Sequence, residues 1–119
     1  MKYLCLIYSD ESQMGSATEE QIEQVMGAYM QYEQEVSAAG VKLAGEGLQP
    51  TMTATTVQVA DGKTVTTDGP FAETKEQLGG FYLLDVEDLD SAIEWAAKIP
   101  TAYMGGRVEV RPCMVFDLP

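Results

Sequence analysis

The sequence predicts an α+β domain in the ferredoxin-like order βαββαβ, with an extra β-hairpin inserted after the second strand. Three observations carry this prediction. Thr18-Glu19-Glu20-Gln21 is a capping box that opens a long helix, and Gly40 stops it. Two alternating arms, TATTVQVA and KTVTTDG, flank Asp61-Gly62, which is a strong hairpin signal. A second capped helix, opening at Asp88, separates two strand-like runs near the C-terminus.

Taken in order, Lys2–Ser9 is apolar at nearly every position, as a strand covered on both faces is. The first helix runs from Glu19 to Ala39, with Ile22, Val25, Met26, Tyr29 and Val36 in one stripe. Glu33 falls inside that stripe, where its carboxylate either snorkels to solvent or pairs with a tyrosine. Val41–Gln49 reads as extended, and Pro50 ends it. Gly45 and Gly47 flank Glu46 there, and glycine within a strand marks a bulge or a close approach. After the hairpin, Gly80–Val86 is a strand. Asp88 caps a helix that reaches Ile99, its Leu89, Ala92, Ile93 and Ala96 facing inward, and Pro100 stops it. Arg107–Phe116 is a last strand with Val108, Val110, Met114 and Phe116 on one face.

The composition narrows the function classes. With 119 residues, 45% of them hydrophobic and 22% charged, the chain reads as one folded domain over residues 1–119. Nineteen acidic against seven basic residues give a formal charge of −12, a surface that repels phosphate backbones, so no nucleic-acid partner is expected. No apolar run approaches the roughly 18 residues of a membrane span, so no membrane association is expected either. The N-terminal stretch lacks a small-residue cleavage site, and a cytoplasmic location is expected. There is no histidine, which removes the commonest general base and metal ligand. Neither metal nor cofactor is expected. Cys5 and Cys113 read as reduced thiols on neighbouring antiparallel strands.

Two helices cover only one face of the sheet. Tyr3, Cys5, Ile7, Tyr82 and Leu84 are apolar and are assigned to the other face. Each large apolar side chain left in water forgoes about 1.5–3 kcal/mol, so a second copy of the sheet is the simplest cover. A homodimer follows.

The stretch DGPFAETKEQLGG from Asp68 to Gly80 has a mechanism in its first half. Asp68 bonds amides ahead of it, Gly69 tolerates positive φ, Pro70 fixes φ, and Phe71 anchors the turn in the core. Glu73, Thr74, Lys75 and Glu76 then bring an ammonium, a hydroxyl and carboxylates together, and Gly79-Gly80 permits close backbone approach. This is either a solvated loop or the wall of a site for a small anionic ligand.

The phrases AGEGLQP (Ala44–Pro50), TDGPFAETKEQLGGFYLLDV (Thr67–Val86), DLDSAIEWAAKIP (Asp88–Pro100) and VEVRP (Val108–Pro112) resemble the DGPF branch of the YCII-related proteins over essentially the whole chain. The resemblance implies ferredoxin-like subunits paired as a dimeric α/β barrel, with a pocket between sheet and helices. It also implies an association with extracytoplasmic-function sigma factors and a distant kinship to small isomerases and a dehydrochlorinase. YCII-related proteins outside this branch resemble one another in a first-helix histidine paired with an aspartate. Tyr29 occupies about that place here, so that mechanism does not carry over. The branch's cysteine before the proline is replaced by Ile99.

Three readings follow. The protein is a cofactor-free lyase or isomerase in which Glu46, Glu73 or Glu76 abstracts a proton and Lys75 or Arg111 holds developing negative charge. It is a non-catalytic ligand-binding or regulatory module acting with a sigma factor, with Asp68, Phe71, Thr74, Lys75, Arg111 and Tyr29 as ligand contacts. Or it is a purely structural dimer with an incidental pocket.

Overall fold

The structure is a computed structural model and describes residues 1–117. Six strands and four helices follow one another: β1 (Lys2–Ser9), α1 (Glu11–Met14), α2 (Glu19–Ala38), β2 (Lys42–Gly47), β3 (Thr55–Ala60), β4 (Lys63–Asp68), β5 (Gln77–Asp85), α3 (Leu89–Ala97), α4 (Pro100–Tyr103) and β6 (Arg107–Pro112). A 3-10 turn at Thr51–Thr53 precedes β3. The main sheet has the order β2-β5-β1-β6, antiparallel throughout, with α2 and α3 on one face. This is the ferredoxin-like α+β arrangement, and β3–β4 forms a separate hairpin.

Local chemistry sets the boundaries. The Thr18 hydroxyl accepts from the Gln21 amide at 3.1 Å, and Gln21 Oε1 accepts from the Thr18 amide at 2.9 Å, so the capping box is closed. Gly40 follows the helix with φ of 70°, a left-handed conformation glycine adopts without cost. Asp61 and Gly62 both have positive φ (50° and 76°), as a primed two-residue turn requires.

Several boundaries differ from the sequence reading. β5 begins at Gln77 rather than Gly80, because pairing with β1 continues past Gly79-Gly80 through a register shift between Ile7 and Tyr8. β6 ends at Pro112, not Phe116. The Cys113 amide still donates to Lys2 O at 2.9 Å, but β1 has no residues left to pair beyond that point. Met114 and Phe116 are consequently exposed and share no sheet face. Pro100 opens α4 at its first turn, where a missing N–H costs nothing; α3 has already ended at Ala97.

The core corrects the assignment of faces. Tyr3, Cys5, Ile7, Tyr82 and Leu84 are buried against Tyr32, Val36, Ala92, Ala96 and Ile99, so they point toward the helices and not toward a second copy. The open face carries their neighbours in the pleat: Leu4, Leu6, Tyr8, Phe81 and Leu83, all half-buried. The helix stripes turn out differently as well. Ile22 and Met26 are exposed, whereas Tyr32 and Val36 are the buried residues of α2, since the sheet covers only its C-terminal half. Leu89 and Ile93 are about half exposed, and Trp95 packs against the core in their stead. Among the described residues no helix is long and apolar enough to cross a membrane.

Candidate functional site

A cleft of about 360 Å³ opens between the C-terminal half of α2 and the sheet. Its floor is built from glycine. Gly45 and Gly47 of β2 lie opposite Tyr82 and Gly80 of β5, and Gly79 continues the row. A side chain at two of these positions has no room: a Cβ on Gly45 would meet the Tyr82 ring at 2.8 Å, and one on Gly80 would meet Glu46 O at 2.8 Å. Tyr29 and Glu33 reach over this floor from α2, with Ile7 and Ser9 from β1 and Thr101 from α4.

Glu33 is the fixed charge of the site. Its Oε1 accepts from the Tyr82 hydroxyl at 2.9 Å and its Oε2 from Lys42 Nζ at 2.7 Å. The bond from Lys42, reinforced by that from Tyr82 and the ammonium charge, outweighs partial burial and holds the Glu33 carboxyl below its ordinary range. Burial, with Glu33 beside it, pushes the Tyr82 hydroxyl far above the ordinary range, so it is a permanent donor. The Tyr29 hydroxyl shares a 2.6 Å hydrogen bond with Thr101 Oγ1, and burial raises its pKa also. Tyr32 stands behind Tyr82 edge to face, ring centroids 5.1 Å apart, and donates to Trp95 O at 3.1 Å. Lys42 lies 5.6 Å from the centre of the Tyr82 ring.

The structure disperses the residues singled out from sequence. Tyr29 and Glu46 border the cleft, although Glu46 lies opposite Phe81, which places its side chain on the sheet's other face. Lys75 and Glu76 line a separate groove of about 190 Å³ with Asp10, Gln13 and Arg107. Glu76 pairs with Arg107 at 2.7 Å, and Lys75 forms no ion pair among the described residues. Arg111 lies on β6, at the opposite edge of the sheet from Glu46, bonded to Glu109 at 2.6 Å. Phe71 does not anchor its turn in the core; it is 90% exposed. Asp68 ends β4, and Glu73 stays in solvent. Thr74 serves the loop itself: its hydroxyl donates to Glu76 O, and its carbonyl accepts from Gln77 Nε2 at 2.6 Å.

Glu33, Lys42, Tyr82 and Thr101 are the site residues that sequence reasoning missed as a group. One signal was present: a carboxylate inside the stripe of an amphipathic helix, which the reading assigned to solvent or to a tyrosine. The tyrosine is Tyr82. Among the described residues no three His, Cys, Asp or Glu side chains converge as a metal site would require. The arrangement presents hydroxyls and a fixed carboxylate to a ligand. The carboxylate fixed over the floor, Glu33, is held below its ordinary range, which makes it a weak base near neutrality.

The family model described as the YCII-related domain matches residues 1–117. The chain is similar to an uncharacterized protein of Rhizobium meliloti (strain 1021), with 39% identity over 117 residues, covering 98% of this chain and 94% of the relative.

Proposed function

The chain belongs to the YCII-related family, and we propose that it binds a small polar molecule in the glycine-floored cleft between α2 and the sheet. One observation carries this reading: the Glu33 carboxylate, fixed by Tyr82 and Lys42, stands over a floor kept free of side chains. A pure packing role would fill that space, because interiors are close-packed and a void forgoes dispersion contacts. Among the described residues the charged side chains bordering the cleft, Glu33 and Glu46, are both acidic, and Lys42 already pairs with Glu33. The ligand is therefore one with N–H or O–H donors, neutral or cationic, rather than the small anion suggested by Lys75.

Binding is favoured over cofactor-free proton abstraction. A lowered Glu33 pKa makes that carboxylate a weak base, and Tyr82 does not lose its proton in the physiological range. The anionic-ligand role of Asp68, Phe71, Thr74, Lys75 and Arg111 rests on the residue types alone, and a sigma-factor partner rests on the sequence resemblance. The functional unit is a homodimer joined through the open face of the sheet, whose Leu4, Leu6, Phe81 and Leu83 are apolar and uncovered by helices.

A thermal-shift screen with a panel of amines, amides and polyols tests the binding reading. A hit raises the melting temperature of the native chain, and Glu33→Gln reduces the shift at least tenfold in apparent affinity. Hits whose affinity is indifferent to Glu33→Gln and to Tyr29→Phe would place binding elsewhere and sink this assignment.

A further inference from the structure

We infer that the cleft takes an amphiphile, with its polar head at Glu33 and a straight apolar tail laid along Met26 and Ile22 of α2. This rests on the reading that a ligand donates to Glu33. It adds the class of molecule: an uncharged or cationic head on an unbranched hydrocarbon chain.

Ile22, Met26, Tyr29 and Glu33 are spaced by four, three and four residues, which sets them in one row on the helix surface. Tyr29 and Glu33 line the cleft. Met26 and Ile22 prolong the same wall toward the N-terminus of α2, where the sheet no longer covers the helix. From Glu33 to Ile22 the row is about 16 Å long. Its polar end is fixed by the bonds from Lys42 and Tyr82, whereas its apolar end stands in water: Ile22 is 38% exposed and Met26 61%. A single exposed apolar residue needs no cause. These two continue a cleft wall without a break.

The floor opens in the same direction. β2 follows α2 through Gly40 and runs back beneath it, tied at its start by the Lys42–Glu33 pair. At Gly45 the Tyr82 ring closes over the backbone, since a Cβ there would lie 2.8 Å from it. Two residues on, at Gly47, a Cβ would meet nothing within 4 Å. The cleft is shut at its Tyr82 end and open toward the half of α2 that carries Met26.

Charge selects the head. Glu19, Glu20 and Glu23 crowd that half of α2, and the helix has no basic residue. They repel a carboxylate or phosphate head and admit an amide, an alcohol or an ammonium. Shape selects the tail. One row of side chains fits one hydrocarbon chain, whereas a partner helix would need a groove to lie in. Methionine, unbranched and polarizable, adapts to such a chain.

Binding of acetamide, butanamide and hexanamide to the full chain, followed by chemical-shift perturbation, tests this. Affinity should rise about two- to fourfold with each added methylene, and so about tenfold or more from acetamide to hexanamide. Glu33→Gln should weaken all three by a common factor of about ten. Met26→Gln, a change at an exposed position between two good helix formers, should cut the gain across the series to less than about threefold. Met30→Gln, equally exposed but turned about 100° around the helix from Tyr29, should leave that gain intact. Loss of the gain in Met30→Gln as well would show a diffuse apolar surface and overturn the tail site. A flat series, a slope that ignores Met26, or amides that fail to bind where polyols do would each overturn the inference; Glu33-dependent binding would still uphold the cleft. A flat series with altered sedimentation of Met26→Gln would show that another chain covers the row, and overturns the inference too. If no amide, amine or polyol binds in a Glu33-dependent way, the cleft reading itself falls and this inference with it.

Discussion

The hydroxyl of Tyr82, a core residue of β5, donates to Oε1 of Glu33 on α2 at 2.9 Å. The bond ties the helix to the sheet across the cleft, with Lys42 closing the other carboxylate oxygen at 2.7 Å. Tyr82→Phe keeps the ring in the core and removes only this donor. The expected cost is about 1–2 kcal/mol, the range for a hydrogen bond to a charged acceptor that is partly solvated. It is measured by urea denaturation. An unchanged midpoint would mean that water replaces the bond at no cost.

The same carboxylate sets a pH dependence. The folded-state pKa of Glu33 is depressed below its unfolded value, so its contribution is present above the unfolded pKa of about 4.5 and is lost as pH falls through the folded value. With its side chain 40% exposed, solvent screens the effect. Glu33→Gln should therefore flatten the acid limb of melting temperature against pH below about 4.5, with little change in slope above pH 6. A variant whose acid limb matches wild type would contradict this assignment.

The glycine floor separates packing from access. Gly45→Ala brings a Cβ to 2.8 Å from the Tyr82 ring and should cost about 1–3 kcal/mol as the ring is displaced from Glu33. Gly47→Ala meets nothing within 4 Å and should cost about 1 kcal/mol or less while narrowing the cleft. The expected signature is stability loss in the first and loss of ligand-induced stabilisation in the second. Thermal melts with and without a screening hit read both.

The two thiols differ in reactivity. Cys5 is buried and desolvation pushes its pKa up to about 11, whereas Cys113 is half-buried; both are free. At pH 8 a thiol reagent should modify one equivalent quickly in the native chain and the second only on unfolding. Two fast equivalents would show that β1 opens far more readily than its core position allows.

Leu84 is fully buried on the helix face of β5. Leu84→Ala should cost about 2–5 kcal/mol irrespective of protein concentration, because the cavity lies inside one subunit. A concentration-dependent loss would instead place it in an intermolecular interface.

Much of the fold was legible because its signals are local. A capping box needs only four consecutive residues, and Asp61-Gly62 needs only the two arms beside it; both appear where the pattern put them. The candidate site was legible only in fragments. Tyr29 stood out by its place on α2, and Gly45 and Gly47 by being glycines in a strand. Tyr82 lies 49 positions from Glu33 in sequence, Lys42 lies nine positions away beyond the end of the helix, and no periodicity joins them. Phe71 shows the converse error: a large apolar residue in a turn invites a core assignment, yet it is 90% exposed.

The sequence by itself determined the order of elements, the caps and turns that bound most of them, and the antiparallel hairpin, because hydrogen-bonding geometry within a few residues decides each. Only the tertiary structure decided which face of β1 and β5 is core. Both faces of these strands are apolar, so the alternation that normally distinguishes inside from outside is absent. The choice falls to the helices. α2 and α3 can bury Tyr3, Cys5, Ile7, Tyr82 and Leu84 only by leaving Leu4, Leu6, Phe81 and Leu83 on the far side. That same choice of face aims Tyr82 at Glu33 and puts Gly80, Gly45 and Gly47 on the same side beneath them, since pleat parity, once set at one residue, is inherited along the strand as far as the next bulge.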